Sequence, residues 1–263
     1  MISSRTILLL CLLFFQVGGA ERLFAQDSLV PGNAFRSGIA AQFGFGHLAL
    51  RDEHISGESY SGPISRFAVT WSHYHETYGF QLGLEYAEAR HLKNYNVSGE
   101  SNLGGLTLAD VYPVGSLDLL GKEASLFLGP RMELFIYYRR QHIAQNPDAT
   151  PDIYESDMWL ASLGITGGVA VLLSPEFQVD ASGNLGLLSL GGGTVSDASS
   201  VTGLTLLTPF AAARCTAGIG IDYLPSSWLA VRVGYGVELT NIKSWNRILM
   251  VSDNLLLTLG FTF

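Results

Sequence analysis

The chain has 263 residues, of which 48% are hydrophobic and only 14% are charged, and its mean hydropathy is +0.26. Soluble domains carry about 25% charged residues, and the net charge of −8 argues against a nucleic-acid partner. Beyond residue 20 the sequence has no run of about 18 apolar residues, which excludes transmembrane helices. A lipid-facing chain must then be a closed β-barrel, because every backbone polar group needs a partner in the bilayer.

Residues 1–25 are predicted to be a secretory signal peptide. Arg5 provides the positive start, and residues 7–17 form an apolar core of the length that signal peptides use. Cleavage after Ala20 or after Ala25 fits the small residues there, and we favour Ala25. The chain is therefore expected to enter the secretory route.

The mature chain, residues 26–263, is expected to be one domain. It retains 13 of the 15 basic and 22 of the 23 acidic residues, because cleavage removes only Arg5, Arg22 and Glu21. Cys215 is its single cysteine, so no internal disulfide can form. A barrel does not need one, since its hydrogen-bonded ladder closes on itself.

Apolar residues alternate with polar or small ones through the mature chain. Between Tyr78 and Tyr86 one face carries Tyr, Phe and Leu, and the other carries Gly, Gln and Glu. Residues 177–185 and 229–239 repeat this pattern. Strands between lipid and a lumen alternate in this way. We predict ten strands, at about 37–51, 62–74, 77–91, 103–118, 123–140, 157–173, 176–190, 204–224, 227–240 and 250–263.

The connections between the predicted strands alternate in length. Short ones are expected at 75–76, 119–122, 174–175 and 225–226, and long ones near 52–61, 92–102, 141–156, 191–203 and 241–249. Outer-membrane barrels have short periplasmic turns and long external loops, so both chain ends are expected in the periplasm. We call the end with the long connections the upper end and the opposite one the lower end.

The fourth predicted strand has an open register. Asp110 interrupts the outward set of Leu106, Leu108 and Tyr112. Pro113 predicts a bulge or an altered register, because proline cannot donate to the ladder.

The chain ends on an alternating strand whose last residue is Phe263. With the signal peptide and the ten alternating segments, this pattern resembles the outer-membrane β-barrel family over residues 35–263. The resemblance implies an all-β, transmembrane, up-and-down antiparallel barrel in the outer membrane of a Gram-negative-type bacterium, recognised through its last strand by the barrel-assembly machinery. Aromatic residues near strand ends suit the two membrane interfaces: Tyr74, Tyr78, Tyr223 and Trp228 at the lower end, and Tyr86, Tyr137, Tyr138 and Trp159 at the upper end.

Nine charged residues fall on the lumen side of the alternation. A charge that faces lipid at mid-depth costs about 2–4 kcal/mol, so these side chains should point inward. We expect them to form ion pairs that plug the lumen, the alternatives being a polar path for a small solute and catalytic use of the carboxylates. They are Arg66, Glu85, Arg131, Glu133, Asp180, Arg214, Asp222, Arg232 and Glu238.

Seven basic residues fall at the upper strand ends or just beyond. Guanidinium groups pair well with phosphate, so we expect them to contact outer-membrane lipid and lipopolysaccharide, the alternative being solvated loop charge. They are Arg51, Arg90, Lys93, Arg139, Arg140, Lys243 and Arg247.

Catalytic signals are weak. The family's omptin proteases use paired acids and an Asp/His pair at the outer rim, and the nearest counterpart, residues 51–54, has no clear second acidic pair. Barrel lipid deacylases use His and Ser on the outer wall, but His47 lacks an identifiable serine partner, and His73 and His75 flank a predicted periplasmic turn. The sequence has no clustered Cys/His metal site and no glycine-rich phosphate loop, so no metal or cofactor is expected.

The sequence thus predicts an outer-membrane barrel with a filled interior and a structural or surface-interacting, non-catalytic role. A narrow channel for small or apolar solutes is the first alternative, and an outer-membrane hydrolase (protease or lipid A-modifying) is the second.

Overall fold

The computed structural model describes residues 37–52, 59–75, 78–94, 97–143, 152–196, 201–202, 212–242 and 248–263. The predicted signal peptide lies outside them. The described residues form ten long strands and one two-residue strand: β1 (Gly38–Asp52), β2 (Ser59–Tyr74), β3 (Gly79–Asn94), β4 (Val97–Leu119), β5 (Lys122–Ile143), β6 (Asp152–Ser174), β7 (Phe177–Ser196), β8 (Val201–Thr202), β9 (Ala212–Ser226), β10 (Leu229–Ile242) and β11 (Ile248–Thr262). No helix in this part of the chain is long and apolar enough to cross a membrane.

The ten long strands close into an antiparallel barrel. Chain neighbours pair throughout, β7 pairs with β9, and β1 pairs with β11 to close the wall. Starting at Gly38, we step from each residue to its paired residue on the next strand until the path returns to β1. The path returns at Leu50 instead of Gly38, when the β7–β9 register is continued one residue past the Leu185–Cys215 pair. This displacement reflects strands that tilt against the barrel axis. The predicted fold class is confirmed.

Several strands run further at the upper end than the sequence pattern predicted. The predicted loop at 92–102 is mostly strand, because Leu92 pairs with Gly99 and Asn94 pairs with Val97. The alternation of apolar and polar residues that marked the strands is present only where one face contacts lipid. The backbone hydrogen bonds of a strand pair continue into water where this alternation is absent, so the pattern underestimates strand length. The predicted strand at 204–224 is described from Ala212, where β9 begins, and residues 204–211 lie outside the described residues.

The open register of β4 is settled by a bulge. Asp110 pairs with Phe80 on β3, and the β4–β5 register shifts between Pro113 and Gly115. The bulge that Pro113 predicted is therefore confirmed.

The outward face of the barrel is apolar. Large side chains such as Phe45, Leu255 and Val114 are 69%, 60% and 58% exposed. An exterior of this kind requires lipid.

Of the eight predicted interface aromatics, four are exposed on the exterior, two (Tyr138 and Trp159) are partly buried on the exterior, and two point into the lumen. Tyr78, Tyr223 and Trp228 at the lower end and Tyr86 at the upper end are exposed. The prediction was wrong for two residues that point into the lumen, Tyr137, which is fully buried, and Tyr74, whose hydroxyl accepts a hydrogen bond from the Gln81 amide.

Candidate functional site: the barrel interior

Six charged side chains from five strands meet near the middle of the barrel. β2 contributes Arg66, β3 Glu85, β5 Arg131 and Glu133, β9 Arg214 and β10 Glu238. Strand alternation turns all six inward, and the closed wall brings them together although up to 172 positions separate them in the chain. We call this group the central ion cluster.

Arg214 is the hub of the central ion cluster. Its Nη2 donates to Glu85 Oε1 at 2.6 Å, its Nε donates to Glu238 Oε1 at 2.7 Å, and its Nη1 contacts Glu133. The side chain is only 2% exposed, and its guanidinium carbon lies 4.6 Å from the Phe135 ring centroid. One guanidinium thus joins β3, β5, β9 and β10, with its charge fully matched.

The two outer arginines complete the central ion cluster. Arg66 Nη2 donates to Glu238 Oε2 at 2.6 Å, and its Nη1 lies 3.6 Å from Glu85. Arg131 Nη2 lies 3.4 Å from Glu133 and donates to Thr107 Oγ1 at 3.2 Å. Three arginines and three glutamates give no net charge, so the cluster can act as a neutral plug.

A second group of charges lies nearer the lower end. Arg232 binds Asp180 in a two-pronged pair, with N–O distances of 2.5 and 2.6 Å, and Asp222 lies 3.6 Å from Arg232 Nη1. The Arg232 side chain is 26% exposed, against 2% for Arg214, so the arginine of this lower ion cluster is the more open to water. All nine charges that the sequence placed in the lumen therefore lie inside the barrel, in two groups.

A polar cavity of about 260 Å³ lies beneath the central ion cluster. Inward-facing Gly83 and Gly218 widen the lumen there, and amides and hydroxyls line it. Gln42 donates to Thr258 Oγ1 at 3.2 Å, and the Asn184 amide lies 2.7 Å from Thr216 Oγ1. A cavity of this size and polarity suits water or a small polar solute.

A layer of apolar side chains fills the interior above the central ion cluster. On β1 these are Leu48 and Leu50, each 1% exposed, and on β5 they are Phe135 and Tyr137, which follow Glu133 on the same face. We call this group the apolar layer, and its members are Leu48, Leu50, Tyr60, Ile64, Ala87, Ala89, Leu92, Leu103, Phe135, Tyr137, Leu160, Ala212, Ile242, Ile248 and Met250.

The sequence interpretation missed the apolar layer, although a signal was present. Near the upper end the alternation inverts, so that His47 and Arg51 face outward while Leu48 and Leu50 face inward. On β3, Glu88 likewise faces outward beside inward Ala87. An apolar interior with a polar exterior is the pattern of a barrel in water. The inversion marks where the wall leaves the lipid.

The seven predicted rim residues divide into four groups. Arg51, Arg90 and Lys93 are exposed, and Arg140 is half-buried. Arg90 Nε donates to Glu88 at 2.6 Å, and Arg140 Nε lies 3.3 Å from Glu155, so both already contact acids. Lys243 and Arg247 lie outside the described residues.

The prediction that Arg139 lies on the outer rim was wrong. Its side chain is 1% exposed and points into the barrel. The β5–β6 register has no shift, so Arg139 shares a face with Arg131 and Glu133. Alternation along an unbroken strand therefore turns it inward.

The hydrolase candidates do not assemble among the described residues. Ser37 Oγ lies 3.5 Å from His73 Nδ1 at the lower end, but it already accepts the Tyr74 backbone N–H at 2.9 Å and so anchors the start of β1. Glu53 and His54 lie outside the described part of the chain.

No family model matches the sequence, and no curated protein matches it. Among solved structures, the outer membrane protease OmpT from Escherichia coli aligns with a TM-score of 0.54 and 7% identity, covering 86% of this chain and 97% of that one. The translocator domain of the autotransporter NalP from Neisseria meningitidis aligns with a TM-score of 0.50 and 14% identity, covering 95% and 96%.

At such identities the likeness shows the fold alone, because one barrel fold hosts many activities. The chain has the outer-membrane β-barrel fold. That fold and the apolar exterior indicate a place in a bacterial outer membrane.

Proposed function

We propose that this chain is a closed, non-catalytic outer-membrane barrel with a structural or surface-interacting role. The observation that carries the proposal is that two groups of side chains, the central ion cluster and the apolar layer above it, fill the lumen one after the other. Arg214 matches three glutamates in the central ion cluster, and the apolar layer above it is packed to exposures of 0–7%. Ions would have to break a buried charge cluster and then cross an apolar layer.

Planar-bilayer recording tests the closed interior. The wild-type protein should give no steady current. The test variant is Phe135→Ala/Tyr137→Ala, which removes two side chains of the apolar layer and keeps all six charges of the central ion cluster. It should raise leak events above the wild type. A steady wild-type conductance would contradict the proposal.

The narrow channel stays as a second candidate, favoured by the polar cavity beneath the central ion cluster. Conduction along this route needs the Arg214 ion pairs to open. In that case the wild type would conduct, and Arg214→Leu would change its ion selectivity, which the same recordings measure.

We also propose that the exposed rim bases contact lipopolysaccharide phosphates. Arg51 and Lys93 are exposed at the upper end, where phosphate would be met in an outer membrane. Charge reversal of both, Arg51→Glu with Lys93→Glu, should lower the lipopolysaccharide that co-purifies. Lys122→Glu at the lower end is the matched control and should leave the amount unchanged. Equal losses would contradict the proposal.

Recognition by the barrel-assembly machinery is proposed through β11. Phe263 is 79% exposed, and its backbone N–H donates to Ser37 O at 3.1 Å. The ring therefore remains available for a partner. Phe263→Ala should lower the amount of barrel assembled in cells while refolding into vesicles proceeds normally. Loss of both would show that Phe263 acts in folding itself.

A further inference from the structure

The lipid-facing wall carries a carboxylate in its lower half. Asp110 on β4 pairs with Phe80 on β3, and directly paired residues share a face of the sheet. Phe80 faces outward, because its ring contacts the exposed ring of Trp71 at a centroid distance of 5.8 Å. Leu108 and Tyr112, on either side of Asp110 along β4, face outward as well. The side chain that interrupted the outward set in the sequence therefore stays on the outward face.

Asp110 lies within the membrane-spanning part of the wall. Phe80 follows two residues above Tyr78, which is exposed at the lower interface. A strand that rises about 3.3 Å per residue and tilts by about 40° gains about 5 Å of height over two residues. The path that climbs from Gly38 to Leu50 adds about 3 Å for the step from β3 to β4. The Asp110 backbone is therefore about 8 Å above that of Tyr78.

Asp110 lacks a polar partner in the part of the chain that the structure describes. No hydrogen bond or ion pair joins its carboxylate to another described residue. Other outward carboxylates have one: Asp253, nearer the upper end, accepts the Tyr235 hydroxyl at 3.2 Å, and Glu88 accepts Arg90 Nε at 2.6 Å. A charged side chain that faces lipid costs free energy, and such residues normally pair with another polar group. Asp110 therefore calls for a donor from a neighbour in the membrane.

The same row of the wall carries a donor. His73 on β2 pairs with Phe80 from the other side, so His73, Phe80 and Asp110 form one row across three strands. The His73 ring is exposed, and its Nδ1 lies 3.5 Å from Ser37 Oγ. With Nδ1 as the acceptor, the ring hydrogen lies on Nε2, to which no described residue bonds. The row thus has a donor on one side of Phe80 and an acceptor on the other.

Such a row is complementary to itself under two-fold symmetry. In a two-fold interface the residue on the axis meets its own copy, and each off-axis pair of residues occurs twice. With the axis along the membrane normal at Phe80, Asp110 of each copy faces His73 of the other. Two strand steps of about 3 Å each separate the paired side chains by about 6 Å in height. A histidine side chain is long enough to cover this difference.

We propose that the outward face of β2–β4 is a two-fold interface between two copies of this chain within the membrane. Asp110 of each copy accepts a hydrogen bond from His73 of the second copy, and the two Phe80 rings meet on the axis. The occupant is a second copy because the row carries both halves of the pair. Apolar surface gives no hydrophobic drive to associate in lipid, so the two polar pairs select the partner.

Cysteine cross-linking tests the position of the axis. Phe80→Cys is made in a Cys215→Ala background, refolded into phosphatidylcholine vesicles and oxidised. Ile221→Cys is the matched control, because Ile221 is exposed on β9, on the opposite side of the wall, and lies two residues above Tyr223. The disulfide-linked dimer should be severalfold more abundant at 80 than at 221. Equal amounts would overturn the proposal.

Exchanging the two side chains tests the pair itself. Energy transfer between copies labelled at Glu176→Cys, in the exposed lower turn between β6 and β7, reports dimerisation in vesicles. Asp110→Leu should weaken dimerisation about tenfold while the barrel stays folded, because the variant removes a charge from lipid. Asp253→Leu is the matched control and should leave dimerisation unchanged.

Asp110→His and His73→Asp should each weaken dimerisation, and the double variant should restore it, because donor and acceptor have only changed places. A double variant as weak as the single ones would overturn the pair.

Isolated outer membranes distinguish a second copy from another partner. Phe80→Cys oxidised there should give the same linked dimer as in vesicles. A link to a different protein, with monomers in vesicles, would overturn the proposal in favour of that partner. Monomers in both settings would overturn it as well, and Asp110 would then face lipid alone.

Discussion

The upper and lower halves of the lumen are built from the same strands on opposite principles. Above the central ion cluster, Leu50, Phe135 and Tyr137 pack to 0–2% exposure. Below it, Gly83 and Gly218 leave a polar cavity of about 260 Å³. The wall around the lower half faces lipid and holds its own shape, so the interior need not be filled. The upper half faces water on its outside and needs an apolar core, as a soluble protein does.

The largest expected effect is at the boundary between the halves. Arg214→Leu leaves Glu85, Glu133 and Glu238 with two arginines in a buried site. Removing one partner of a buried ion pair costs about 3–5 kcal/mol, and urea unfolding of the barrel in vesicles should show a loss of this order.

The matched control for Arg214 is Arg232→Leu in the lower ion cluster. Its side chain is 26% exposed, against 2% for Arg214, so water screens its ion pairs more strongly. Its loss of unfolding free energy should be clearly smaller. Equal losses would mean that the two halves do not differ in their access to water.

A smaller effect is expected inside the apolar layer. Leu50→Ala should lower the free energy of unfolding by about 3 kcal/mol, because it removes buried surface and leaves a cavity. The same unfolding measurement applied to Leu255→Ala, on the lipid-facing wall, is the comparison, and its loss should be smaller because lipid can fill the space. A negligible loss for Leu50→Ala would show that the upper half is not a packed core.

The smallest expected effect is a gain in the free energy of unfolding at Gly83, in contrast to a loss at Gly46. A Cβ added at Gly83, in the lower half, would lie 3.6 Å from Thr107 Cβ, an ordinary contact. Gly83→Ala should raise the free energy of unfolding by about 0.4–1 kcal/mol, since alanine restricts the unfolded chain.

Gly46→Ala, nearer the upper end, should lower the free energy of unfolding by about 1–3 kcal/mol, because its Cβ would overlap the Asp253 carbonyl oxygen. The same sign for both variants in urea titrations would contradict the different Cβ surroundings of the two glycines.

The sequence pattern predicted the interior charges better than the rim. Arg214 and Glu238 lie on clearly alternating strands in the membrane-spanning part of the wall. There a charged side chain that faces lipid costs free energy, so it points into the lumen. Arg139 and Tyr137 lie where the wall leaves the lipid, and both were assigned to the exterior because they stand near a strand end. Their faces follow from the unbroken register of β5, which only the pairing with β6 displays.

The sequence by itself determined that the chain forms a barrel of ten long strands. Apolar and polar residues alternate along each strand, and only the apolar face can contact lipid. The sequence also determined that nine charged side chains face the lumen, but it assigned Arg139, which faces the lumen too, to the outer rim. Only the tertiary structure decided that Arg66, Glu85, Arg131, Glu133, Arg214 and Glu238 meet at one level, and that an apolar layer lies above them. The reason is that register, tilt and closure bring distant strands together, and these depend on pairings around the whole wall.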